Sequence, residues 1–277
     1  HMRKTKIVCT IGPATDNEDI MRQLMLEGMD VARFNFSHSD HEVHKTRFEI
    51  IDKLRKELDL PIATMLDTKG PEIRLGLFKD NKPVIIEVGE TFTLTTDQVE
   101  GTKDISTITF KDLPKDVKPG TAILINDGVI ELKCRKINGN EIACDIIHGG
   151  TVSNNKGVNV PGIKLSMPYI SERDMADLEF GAKMQFDFIA ASFVRTAADI
   201  MYLRNITKSL GWYNPRIIAK IENIDGVNNI DEILEVADGI MIARGDMGVE
   251  IPFEQIPAIQ KELIHKAYNA GKQVIIA

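Results

Sequence analysis

Lys220 and Glu222 stand two residues apart at the end of an apolar run, Ile217-Ile-Ala-Lys-Ile-Glu222. The next apolar run, Gly239-Ile-Met-Ile-Ala-Arg-Gly-Asp246, also ends in a carboxylate. Residues two apart on a strand share a face, so an ammonium lies beside Glu222. A pair of carboxylates with few other ligands suits Mg²⁺ or Mn²⁺, which favour oxygen donors and keep waters and substrate oxygens. A lysine next to such an ion suits stabilisation of a transferring phosphoryl group. The plainer reading, a structural Lys220–Glu222 salt bridge, stands beside it. Glu222 and Asp246 closing successive runs favours the site.

Two earlier runs have the same shape. Val31-Ala-Arg-Phe-Asn35 ends in Arg33 and Asn35, and Ile62-Ala-Thr-Met-Leu-Asp67 ends in Asp67 and Thr68. Asn35, Ser37, Asp67 and Thr68 make a second oxygen-rich group of low charge. Such a group suits a monovalent cation or ordinary turn and cap chemistry, and spacing alone favours the latter. Arg33, Arg74 and Lys156 are candidate anion contacts. An unpaired guanidinium inside the apolar strand of Arg33 would be costly. His38, His41 and His44 recur every three residues but lack a zinc pattern, so the preferred reading is a solvated helix face. Neither GxxxxGK[ST] nor GxGxxG occurs, and Ala243-Arg-Gly-Asp-Met-Gly248 is too short a signal by itself.

Chemistry kept at the C-terminal ends of short buried strands describes the active face of a parallel β/α barrel. The elements follow that plan. Strands are expected at 6–10, 29–35, 62–67, 187–193, 216–222, 239–243 and 273–277, with helices between them. Thr15-Asp-Asn-Glu18 reads as a capping box, Asp40 to Leu58 as a charged helix, and Ser171 as a helix start. Further helices are expected at 197–210, 225–236 and 253–270. From Pro71 to Met167 the pattern changes to short β-type runs with hairpin signals at Asn126-Asp-Gly128 and Asn138-Gly139. The fold expected is an α/β chain. Residues 1–70 and 170–277 form a TIM-type barrel, and 71–169 an inserted small antiparallel β-barrel domain. Seven barrel strands are present where closure needs eight, so a continuation past Ala277 is expected, and open edges would favour pairing with another copy.

Composition agrees with a globular chain. It has 277 residues, 43% hydrophobic and 27% charged. A formal net charge of −7 argues against non-specific nucleic-acid binding. No run reaches membrane-spanning length and no leader precedes the first strand, so a cytoplasmic setting is expected. His1-Met2 reads as a leftover ahead of a natural start. Cys9, Cys134 and Cys144 read as reduced strand residues.

Several motifs, in order along the whole chain, resemble those of pyruvate kinases. They are Lys4-Thr-Lys-Ile-Val-Cys-Thr-Ile-Gly-Pro13, Asn35-Phe-Ser-His38, Leu66-Asp-Thr-Lys-Gly-Pro-Glu-Ile-Arg74, Lys156-Gly-Val-Asn-Val-Pro-Gly162, Ile218-Ala-Lys-Ile-Glu-Asn223 and Ala243-Arg-Gly-Asp-Met-Gly-Val-Glu250. The resemblance implies a barrel with a lid-like β insert, moving phosphoryl from phosphoenolpyruvate to ADP with Mg²⁺ (or Mn²⁺) and K⁺. It implies Glu222 and Asp246 as divalent-metal ligands. Lys220 corresponds to the lysine stabilising the transferring group, and Arg33 and Arg74 to phosphate-side catalytic contacts. It reverses the spacing-only reading by matching Asn35, Ser37, Asp67 and Thr68 to the potassium site. Glu72 matches the glutamate of potassium-dependent members. Asn35, Phe36, Ser37, His38, Arg74 and Lys156 correspond to nucleotide contacts, and Gly245 and Asp246 to backbone donors for the substrate carboxylate. A homotetramer is implied for the full-length protein. The family's eighth β/α unit and C-terminal domain have no counterpart here, and no general acid for the enolate stands out. Other readings are a barrel lyase acting on enolpyruvate and a fragment that binds metal or nucleotide without turnover.

Overall fold

The computed structural model describes residues 6–277. His1-Met2 and the first two residues of the Lys4–Pro13 motif lie outside the described residues.

A parallel sheet runs through Val8–Ile11, Val31–Asn35, Ala63–Asp67, Phe188–Ala191, Arg216–Ile221, Gly239–Ile242 and Gln273–Ile276, numbered here first to seventh. The strands pair in that order, and the first and seventh form the two edges. Each expected strand is present, shifted by at most two residues. The curled parallel sheet with helices outside it is that of a TIM-type barrel.

Alternation along the strands divides the barrel into two apolar layers. Val31, Met65, Ala190, Ile218 and Met241 form a small interior cluster, with Val8, Ala63, Phe188 and Ile275 against it. The opposite strand faces pack on the helices in a larger cluster that includes Phe34, Leu66, Ile189, Ile217 and Ile240. Arg33 and Asn35 share parity with Val31, Asp67 with Met65, and Lys220 and Glu222 with Ile218. The polar residues therefore continue the interior face toward the strands' C-terminal ends, above a filled apolar layer.

Helices follow the expected plan with local corrections. Thr15 does not cap the first helix, Glu18–Leu26. Asn17 does, its side chain accepting from the amides of Asp19 and Ile20. Thr15 instead closes a short 3-10 turn on Gly12. The expected helix 225–236 is two pieces, Ile224–Asn228 and Ile230–Val236, interrupted at Asn229. An unexpected short helix, Arg244–Glu250, follows the sixth strand.

The solvated-face reading holds for exposed His38 and fails for buried His44 of helix His41–Glu57, while His41 stays partly exposed. His44 is 2% exposed and stacked on Phe36. His41 meets Asp177 at 2.6 Å and stacks on Phe180. That helix packs on Glu172–Met184, which supplies Asp177 and Phe180 to the partly exposed His41 ring. No cluster of three or more His, Cys, Asp or Glu able to hold a metal occurs among the described residues.

Between the third strand and the helix starting at Glu172 lies a second sheet. Its order is Ile73–Arg74, Gly157–Asn159, Ala122–Ile125, Ile130–Asn138, Glu141–His148, Thr91–Thr95, Ile105–Thr107. The pairings are antiparallel except the last, which is parallel. A bridge from Leu75 to Ile108 joins the two ends of that order into a small barrel. Asn126, Asp127 and Gly128 all take positive φ, as the hairpin reading requires. This sheet encloses its own apolar cluster around Phe92, Leu94, Ile123, Leu132 and Ile142.

Candidate active site

Lys220 leaves the fifth strand and ends among three oxygens. Its Nζ lies 3.0 Å from Asp67 Oδ1 and 3.2 Å from Glu222 Oε1. It donates to Ser192 Oγ at 3.1 Å. Arg33 Nε reaches the other oxygen of Asp67 at 2.6 Å, and its Nη1 donates to Thr10 Oγ1 at 2.8 Å. Neighbouring strand ends thus build one network: Arg33, Asp67, Lys220, Glu222. Asp67 and Glu222 are 1% and 6% exposed and Lys220 8%, so these charges interact with little solvent screening.

The electrostatics follow from that burial. Burial pulls the Lys220 ammonium down, but Glu222 and Asp67 together outweigh it and hold its pKa above the ordinary lysine value. Lys220 is a fixed cation. Burial pushes the Glu222 carboxyl up, Lys220 pulls it back, and Asp246 pushes it up again, with the net shift upward. Glu222 is therefore a carboxylate short of positive charge. Its Oε2 accepts the Phe193 amide at 2.7 Å. Asp246, in the first turn of Arg244–Glu250, is exposed and makes no ion pair or side-chain hydrogen bond among the described residues. Two carboxylates repelling one another, with an all-oxygen donor set, fit a hard divalent cation.

The second oxygen group is brought partly together. Asn35 is opposite Asp67 in the register of the second and third strands. Asn35 Oδ1 accepts the Ser37 amide at 3.0 Å, and Thr68 Oγ1 accepts the Ser192 amide at 3.0 Å. With Asp67 already held by two cations, the remaining donors are nearly neutral oxygens, which fit a monovalent ion better than a divalent one.

Other expected contacts sit differently. The Phe36 ring is 1% exposed and stacked on His44, so it faces the core and only its backbone reaches the loop. Arg74 pairs with Glu72 at 2.9 Å and donates to the Asn155 carbonyl at 2.7 Å. Glu72 also holds Lys69 at 3.0 Å. Lys156 borders the strand opposite Arg74, half-buried, with no ion pair among the described residues. Neither Lys156 nor His38 touches the Lys220 network by a side-chain hydrogen bond.

Sequence reading missed Ser192, whose Oγ donates to the Thr68 carbonyl at 2.5 Å and accepts from Lys220. Its only signal was its place as a polar residue near the end of the apolar run expected at 187–193. Glu250 was also missed. It accepts from Asn159 of the inserted sheet at 3.4 Å and is shifted upward by burial. A cleft of about 190 Å³ runs between the two sheets beside these residues, lined by Glu72, Arg74, Asn159, Phe193, Arg195 and Glu250 among others.

A β/α barrel with a buried lysine and an acidic pair at its C-terminal rim defines a barrel-enzyme class that keeps its chemistry at the strand ends. Comparison narrows it. The family model for the pyruvate kinase barrel domain matches residues 2–277. Pyruvate kinase of Clostridium perfringens is 47% identical over 277 residues, all of this chain and 58% of that protein. Pyruvate kinase of Staphylococcus haemolyticus is 49% identical over 278 residues, covering 47% of its own length. A crystal structure of a pyruvate kinase from Cryptosporidium parvum superposes with a TM-score of 0.92 at 40% identity, covering 99% of this chain and 57% of that one. The chain belongs to the pyruvate kinase family. It spans about half the length of the curated relatives it matches.

Proposed function

We propose that this chain carries the phosphoryl-transfer site of a pyruvate kinase, moving phosphoryl from phosphoenolpyruvate to ADP to give pyruvate and ATP. One observation carries the reading: the buried Lys220 ammonium held between Glu222 and Asp67, with Arg33 on the far side of Asp67. Both substrates are multiply anionic. A unit-charge pair at 4 Å is worth about 4 kcal/mol at an effective dielectric of 20, so several cations must converge. Lys220 and Arg33 supply two, each already held by a buried carboxylate. Arg74 and Lys156 are the candidates from the inserted sheet. Glu222 and Asp246 would hold Mg²⁺ or Mn²⁺, which when bound supplies further neutralisation of phosphoryl charge. Asn35, Ser37, Asp67 and Thr68 would hold K⁺. The amides of Gly245 and Asp246 lie in the first turn of a helix, where N–H groups lack intrahelical partners, and suit a substrate carboxylate.

Asn35, Ser37 and His38 are the proposed nucleotide contacts, together with the Phe36 backbone. Residues 71–169 act as a lid domain that excludes water from the transferring group. This assigns the chain to glycolysis in the cytoplasm, within a homotetramer at full length. No helix among the described residues is long and apolar enough to cross a membrane.

The test is pyruvate formation from phosphoenolpyruvate by the polypeptide carrying these residues. Dependence on ADP, Mg²⁺ and K⁺ together is expected. Activity without nucleotide would replace the reading with a lyase. Binding of Mn²⁺ without turnover by residues 1–277 would limit this chain to part of the site.

A further inference from the structure

The four proposed cation ligands come from two separate strand ends and the loops that follow them, and one helix holds both. The helix Glu172–Met184 begins where the chain returns from the inserted sheet, capped by Ser171. Arg173 Nη2 donates to the Phe36 carbonyl at 2.8 Å, inside the loop that carries Asn35 and Ser37. Asp174 Oδ1 accepts the Gly70 amide at 3.3 Å, in the turn that follows Asp67 and Thr68. Consecutive residues of one helical turn therefore each hold one half of the oxygen group.

Both grips have backing. Arg173 Nε lies 3.8 Å from Asp177 Oδ2, one turn along the same helix, and Asp177 Oδ1 meets His41 at 2.6 Å. Asp174 is 1% exposed. Gly70 takes φ +83°, and a Cβ built on it would sit 2.8 Å from the Ser192 Cβ, so its turn is pressed against the fourth strand's exit. The first loop has a second hold, from His44 Nε2 to the His38 carbonyl at 2.8 Å. Groups outside a coordination shell fix the orientation of the ligands within it.

We propose that Arg173 and Asp174 form a positioning clamp that sets the separation of the Asn35–Ser37 and Asp67–Thr68 halves of the monovalent-cation site. The clamp rests on the reading of those four residues as that site. Neither clamp residue touches the ion. Each fixes a loop backbone, so releasing either one widens the cage and weakens its hold on the ion without removing a ligand.

The experiment is thermal unfolding of the chain titrated with KCl, against tetramethylammonium chloride at matched ionic strength. Wild type should show a saturable potassium-specific gain. Arg173→Ala and Asp174→Ala should each raise the potassium concentration at half-effect roughly tenfold, as expected for losing one charge-assisted hydrogen bond. Asp174→Asn keeps the Oδ1 acceptor without its charge and should raise the midpoint clearly less than Asp174→Ala. Glu179→Ala, on the exposed face of the same helix, should not move the midpoint at all. Folded alanine variants with the wild-type midpoint would overturn the clamp while leaving the cation site standing. Absence of any potassium-specific gain in wild type would remove the site and the clamp with it. Arg173 is about half-exposed, so Arg173→Ala decides the matter should Asp174→Ala fail to fold.

Discussion

Replacing Lys220 with methionine keeps an unbranched side chain, one atom shorter, and deletes its charge. The ammonium sits 3.0 Å from Asp67 and 3.2 Å from Glu222. At an effective dielectric of 20, each of those pairs has a gross attraction of about 5 kcal/mol. Desolvation of the lysine offsets much of that, and breaking a buried pair from one side costs about 3–5 kcal/mol net. The expected loss is of that size at pH 7.5, where Glu222 is left without its only ion-pair partner among the described residues. It should shrink at pH 5. Glu222 is already shifted upward by burial and by Asp246, and a protonated Glu222 needs no counter-charge. Urea unfolding read by Trp212, buried in the barrel's outer layer, measures both values. A loss below about 1 kcal/mol at pH 7.5, or one equal at the two pH values, would refute the account of Lys220 as the neutraliser of a buried carboxylate pair.

Glu222→Gln and Asp246→Asn should each weaken Mn²⁺ binding on the order of a hundredfold by removing one of two charged ligands, measured by the free-ion electron paramagnetic resonance signal. Asp174 is raised by burial from its ordinary 3.8 to about 6. Well below pH 3.8 both folded and unfolded chains hold that proton. Between pH 4 and 6 the unfolded chain releases it first, so stability falls there, by up to about 3 kcal/mol. Asp174→Asn should abolish that fall and be the more stable protein at pH 7, as denaturant midpoints across the range will show. Gly70→Ala places a Cβ 2.8 Å from the Ser192 Cβ at positive φ, and should cost at least about 1–3 kcal/mol in the same assay.

The strand-end chemistry was legible because parallel strands bring their last residues side by side whatever separates them in sequence. Lys220 and Glu222 could be placed on one face from parity alone, whereas their union with Asp67 and Arg33 is seen only in the structure. What parity cannot show is a hub such as Ser192, a lone hydroxyl past an apolar run. Nor could it show Arg173, read only as part of a helix start. The helix Arg244–Glu250 was hidden by Gly245 and Gly248, which disfavour helix, and by tertiary packing through Met247 that overrides them. His44 was misread although a signal existed. It lies four residues before Phe48 and seven before Ile51, on the helix's buried stripe. The Thr15 capping box failed because Asn17, a stronger cap, stands one residue before the helix begins.

The inserted sheet keeps its own apolar interior, and it meets the rim through a few polar touches such as Asn159 on Glu250. Damage confined to that interior would therefore uncover the rim without dismantling it. On the transferase reading, such a lesion has a distinctive chemical signature. Bulk solvent gains access to the migrating phosphorus, and the protein spends phosphoenolpyruvate as inorganic phosphate, an energy leak rather than a simple loss of turnover.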